Sequence, residues 1–287
     1  MQITAPDVLT TLLLLLGFGS LVIWSAIIRK AMRGESLVEF EPRPPVPWHG
    51  WDVLALLFLY IVLEGAGLQV AKRDGELELG TLSISTLARL SVAHLIWLAF
   101  AVPYLSYRAS AYLDDLGLSL GKLPNDLRLG AKTFLAAVVP VYGIQSLLTY
   151  VFDFPSEHPL AKLAKDQPNI GVLLLATLSA VVVAPLIEEF LFRVVLQGWL
   201  EKQEIVWRKS RGSESDVPGI GPIIVVSTIF ALLHFGHGPD PVALFVLSLF
   251  LGYAYQQTHR IYASLLVHMC VNGLAVLELW VLFFTGK

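Results

Sequence analysis

Residues 170–200 read IGVLLLATLSAVVVAPLIEEFLFRVVLQGWL. The run is longer than the roughly 20 apolar residues that cross a hydrocarbon core, and its only charges are Glu188, Glu189 and Arg193. The rest of the chain has the same character. Of its 287 residues 55% are hydrophobic and 15% charged, against roughly 45–50% and 25% in soluble domains. Mean hydropathy is +0.67. Stretches such as Leu12–Leu16 and Val181–Val183 are apolar on every side, which excludes the alternating strands of a membrane barrel. The chain is therefore expected to be an all-α, polytopic integral membrane protein, with about eight transmembrane helices in one bundle. The candidate spans are residues 7–28, 51–71, 82–107, 130–152, 170–200, 220–236, 241–257 and 261–284.

Charge narrows the function. Twenty Lys and Arg against 23 Asp and Glu give a net −3, which argues against a nucleic-acid binder. The single cysteine, Cys270, excludes an internal disulfide framework and a cysteine-based zinc site. No Lys or Arg precedes the first span, whereas Arg29, Lys30 and Arg33 follow it, the pattern of a signal anchor with its N-terminus outside. Threading the spans from there puts thirteen basic residues in inner connections and five in outer ones. Residues 41–47, rich in proline, read as a stiff linker along the membrane surface. Residues 160–165 read as a short interfacial helix, and residues 202–216 as a charged inner loop.

Ionisable groups inside a bilayer are costly enough to be functional candidates. They are Glu64, Arg89, His94, Glu188, Glu189, Arg193, His234, His268 and Glu278. Glu189 and Arg193, at i,i+4, share a helix face and can neutralise each other. Glu188 points about 100° away, with no partner on its own helix, which suits a general base. Helix-bridging glue is the bland alternative. His234 follows Phe230 by four residues, so the two rings can pack; a satisfied core histidine is an equal reading. His237 sits in a helix-ending turn. His268 and Asn272, also at i,i+4, offer two hydrogen-bond donors to an oxyanion, though metal ligation or helix bridging fits them as well. Together these groups make a hydrolase's inventory without a nucleophilic Ser or Cys.

Glu188-Glu189-x-x-x-Arg193, Phe230-x-x-x-His234 and His268-x-x-x-Asn272 resemble, in order and spacing, three motifs of the CPBP family of intramembrane proteases, which includes the type II CAAX prenyl proteases and bacteriocin-processing enzymes. The resemblance implies that Glu188 and His234 bind and activate water, that His268 and Asn272 form the oxyanion hole, and that Glu189, Arg193 and Phe230 support them. It divides the chain into N-terminal transmembrane helices (residues 1–169) and a catalytic helical core (residues 170–284). It implies a membrane-associated peptide or protein substrate met within the lipid bilayer, and a bacterial plasma membrane as the setting. Metal-free chemistry is favoured, because no His-Glu-x-x-His helix is present. Zinc held by Glu188, His234 and His268 is the alternative. The rival readings are an inactive scaffold or bacteriocin-immunity-type protein of the same fold, and a transporter using Glu64, Arg89, His94 and Glu188. Glu64 and Arg89 are expected to pair. One tension stands: from the inner ends of their spans, Glu188 lies roughly 15 Å deep, His268 roughly 12 Å and His234 roughly 22 Å.

Overall fold

The computed structural model describes residues 5–73, 83–152, 169–235 and 240–285. Among them run eight helices: α1 (Ala5–Met32), α2 (Gly50–Arg73), α3 (Ile84–Arg108), α4 (Leu123–Phe152), α5 (Ile170–Ser210), α6 (Gly221–Leu233), α7 (Asp240–Thr258) and α8 (Ile261–Thr285). Six of them, all but α6 and α7, are long and apolar enough to cross a membrane. Helices satisfy every backbone polar group internally, which apolar surroundings demand. Local signals set their starts. Ser83 Oγ accepts from Thr86 N at 3.0 Å, and Asn169 Oδ1 accepts from Gly171 N at 2.7 Å. At 13 residues α6 is about 20 Å long, short of a hydrocarbon core of about 30 Å. The residue 160–165 segment and the His237 turn lie outside the described residues.

The long α5 is the axis of the bundle. One cluster on it joins Trp48, Leu56, Trp97, Ile187, Phe190 and Phe230, contributed by the linker, α2, α3, α5 and α6. A second cluster, of Ala137, Val141, Leu247, Leu251 and Val267, packs α4 against α7 and α8.

One expectation is corrected where α5 ends. Residues 202–210 do not form a loop; they continue α5. Their polar side chains find partners that hold the helix: Lys202 Nζ donates to the carbonyls of Val46 (2.9 Å) and Trp48 (3.0 Å), and Glu204 accepts from Gly219 N (2.8 Å). The proline-rich linker is a strap tied to the bundle. Glu41 N donates to Gln257 O, Glu41 pairs with Arg260 and Lys122, and the Trp48 indole donates to Val195 O. Arg260 also grips Asp126 at 2.7 and 2.8 Å. The connections α1–α2, α3–α4, α5–α6 and α7–α8 thus meet at one end, as alternating spans require.

The extension of α5 also removes the depth tension. The Glu204–Gly219 bond sets α5 and α6 level at that point. Glu188 lies about 16 residues back along α5, and His234 about 15 residues onward, or about 24 and 22 Å. The two side chains come out at nearly the same depth.

His259, in the α7–α8 turn with φ 54°, is buried against Arg43 and Arg260. Burial, reinforced by those two cations, lowers its pKa from 6.5 to about 2. The Glu201 carboxylate 3.6 Å away pulls the other way, but Arg43 already pairs with it at 3.7 Å. A depressed folded pKa means stability that is complete above pH 6.5 and declines as pH falls toward 2. The unfolding midpoint should therefore drop as pH is lowered from 7 to 5. His259→Asn, which tolerates positive φ, should flatten that decline in a detergent-solubilised melting series.

Candidate active site

α5 is not a uniform helix. π-helical turns at Ser179–Val183 and Phe190–Gln197 flank the Ala184–Glu189 segment. Ala184 N reaches back five residues to Ser179 O. The next donor in that register would be Pro185, which has no N–H, so the carbonyl of Ala180 is left over. The Asn272 side-chain amide of α8 fills it at 2.8 Å. π-turns recur at functional sites because they turn side chains out of helical register. Here they present the Glu188–Glu189 pair.

The two carboxylates occupy opposite environments. Glu189 is fully buried, with Oε2 accepting from Arg193 Nε at 3.2 Å and Oε1 lying 2.9 Å from His268 Nδ1. Arg193, equally buried, donates from Nη2 to Ser248 Oγ of α7 at 3.1 Å, and its guanidinium lies over the Phe230 ring at 5.5 Å. Glu188 keeps 15% of its side chain exposed and faces His268 Nε2 at 3.6 Å. One imidazole therefore stands between two glutamates. Its Nδ1 must carry a proton to bond the Glu189 carboxylate, which aims Nε2 at Glu188.

His234 sits just past the end of α6. Its Nδ1 lies 2.8 Å from the Phe230 carbonyl, and since a carbonyl can only accept, Nδ1 carries the proton. The ring thus caps an orphan helix-end carbonyl and leaves Nε2 as a free acceptor. Phe230 ties the histidines together, with ring centroids 4.7 Å from His234 and 5.9 Å from His268. Glu188 and His234 form no ion pair among the described residues; the carboxylate's imidazole contact is His268.

Several expected residues are brought together, and others are reassigned. Glu188, Glu189, Arg193, Phe230, His234 and His268 form one contact chain, with Asn272 one helical turn from His268. Glu64 does not pair with Arg89: its partner is His94, and the Arg89 guanidinium reaches Thr86 Oγ1 at 3.4 Å. Ser248 was not legible as a partner of Arg193. Gln197 and Glu201 were also missed, although Glu189, Arg193, Gln197 and Glu201 recur every four residues as one buried polar stripe, in which Gln197 Nε2 bridges Glu201 and Gly252 O at 2.9 Å each.

The donor set fits zinc poorly. Both nitrogens of His268 already face carboxylates, and no group of three His, Cys, Asp or Glu among the described residues is arranged to hold a metal ion.

Residues 170–274 match the sequence model of the family described as type II CAAX prenyl endopeptidase, Rce1-like, which supports a CAAX-protease-like family for this chain. Neither a curated protein nor a solved structure matches the chain.

Removing one member of a buried ion pair strands the other, at a cost of about 3–5 kcal/mol. Arg193→Met alone should therefore destabilise strongly, whereas Glu189→Gln with Arg193→Met should recover most of the loss. Chemical unfolding of the three proteins in detergent checks this; equal stability of the single and double variants would contradict it.

Proposed function

With residues 170–274 in the CAAX-protease-like family, we propose that the chain is an intramembrane endopeptidase that hydrolyses a peptide bond of a membrane-associated substrate. The observation that carries the reading is the asymmetry of the glutamate pair. Glu189 is neutralised by Arg193, while its neighbour Glu188 stays partly accessible beside an imidazole. Environments that set two carboxylates apart assign them different roles.

Glu188 takes a proton from water as the water oxygen bonds to the peptide carbonyl carbon. The free Nε2 of His234 accepts the other O–H and aims the nucleophile. The oxyanion is met by the second N–H of Asn272 and by the Nε2–H of His268 in its imidazolium form, whose Nδ1–H remains on Glu189. Glu188 then passes its proton to the amide nitrogen as the C–N bond breaks. Glu189, Arg193 and Ser248 hold the imidazole without touching substrate, and Phe230 spaces the two histidines. The proposed chemistry is metal-free, with His268 Nδ1 committed to Glu189. A prenylated C-terminal peptide, the substrate class in the family's description, is the first substrate to try; the bacterial plasma membrane is the proposed setting. The inactive-scaffold reading makes no use of the asymmetry.

Positioned general bases contribute roughly 10²–10⁴-fold. In proteoliposomes given a farnesylated CAAX peptide, Glu188→Gln and His234→Ala should each lower turnover about 10³-fold while melting as the parent does. Unchanged turnover in both would refute the mechanism. Chelation should leave the rate unaltered; a loss restored by zinc would move the chemistry to a metal held by Glu188, His234 and His268.

A further inference from the structure

Where the strap crosses α5, a cavity of about 20 Å³ lies against Arg43, Gly198, Glu201 and His259. Its charged walls approach one another without bonding. Arg43 Nη2 stands 3.7 Å from Glu201 Oε2, and His259 Nδ1 stands 3.6 Å from the same oxygen. Polar contacts longer than about 3.5 Å are where a bridging water is to be sought. Gly198 keeps the space open: a Cβ there would lie 3.0 Å from Arg43 Nη2, 3.2 Å from Val46 Cγ1 and 3.3 Å from the Tyr255 hydroxyl.

Four buried polar atoms around this space have no hydrogen bond among the described residues. They are Arg43 Nη1, the Tyr255 hydroxyl and the two ring nitrogens of His259. Tyr255 is fully buried, and His259 is 5% exposed. Buried polar groups are ordinarily bonded, to protein or to ordered water, so their gathering at one cavity points to a ligand.

The walls select its chemistry. A cation would meet the Arg43 guanidinium, and an anion would meet the Glu201 carboxylate. Burial, reinforced by Arg43 and Arg260, keeps His259 neutral, so its ring offers one N–H and one bare nitrogen. The occupant is therefore neutral, and it both donates and accepts. About 10–15 Å³ of such space holds one water, which needs two to four polar partners.

We propose that this cavity binds one ordered water that latches the strap to α5 and to the α7–α8 turn. The water accepts from Arg43 Nη1 and from the Tyr255 O–H, and it donates to Glu201 Oε2 and to the bare nitrogen of His259. Twelve residues of α5, about 18 Å, separate Glu201 from Glu189, so the water takes no part in hydrolysis.

Ionising radiation makes hydroxyl radicals from bound water in place, so side chains touching such a water are oxidised even where bulk solvent does not reach. In the full chain in lipid nanodiscs, brief X-ray exposure should oxidise Tyr255 and His259 and spare Trp48, which is 0% exposed at the end of the same strap. Tyr255→Phe keeps the ring contacts with Arg43 and His259 and removes only the hydroxyl. Its melting temperature should fall about 2–4 °C, and oxidation of His259 should fall with it. Unoxidised Tyr255 and His259 in the parent would mean a dry cavity and overturn the proposal. Oxidation of Trp48 alongside them would mean that the strap opens to bulk solvent, which also overturns it. So would a Tyr255→Phe protein that melts at or above the parent temperature, the outcome expected of a hydroxyl with no partner to lose.

Discussion

The site depends on a fully buried ion pair. Glu189 and Arg193, one turn apart on α5, have no exposure to solvent, and desolvating two charges costs several kcal/mol per ion. Attraction within the pair offsets this only if the remaining lone pairs and N–H groups are also engaged. Glu189 therefore takes His268 as a second partner, and Arg193 takes Ser248 and the face of Phe230, although Arg193 Nη1 has no hydrogen bond among the described residues. Those partners come from α8, α7 and α6. Satisfying one ion pair thus draws three helices onto α5 in fixed rotation, which sets where His268 and His234 can be.

The same need explains the irregular backbone. Pro185 interrupts the hydrogen-bond ladder next to the glutamates, and the π-turn before it leaves the carbonyl of Ala180 to be filled from outside the helix. Asn272 fills it, and farther along α5 the Trp48 indole donates to Val195 O. The fillers lie far apart in sequence, so the helix carrying the carboxylates is pinned on one side by the C-terminal helix and on the other by the strap that follows α1. The residue proposed to donate to the oxyanion thereby also holds the helix of the proposed general base in register.

Much of this was legible because it is local. Apolar runs marked the helices, i,i+4 spacing predicted the Glu189–Arg193 pair and the Phe230–His234 stack, and the 100° step isolated Glu188. What failed to show depends on how helices rotate against one another. Arg89 and His94 are five residues apart on α3, about 140° around the axis, so sequence alone could not decide which of them meets Glu64. Nor could it decide the depth of His234, since the inner end of α5 is set by Lys202 and Glu204 finding partners on the strap and at the start of α6.

The chemistry reduces to one statement: Glu188 acts on water and does not itself bond to the substrate. Single-turnover cleavage of the farnesylated peptide in H₂¹⁸O, read by mass spectrometry of peptide and protein, tests it most directly. The account predicts one ¹⁸O in the newly formed peptide carboxylate and none in the segment bearing Glu188. An unlabelled product with ¹⁸O appearing on Glu188 would show an acyl-glutamate intermediate and contradict it.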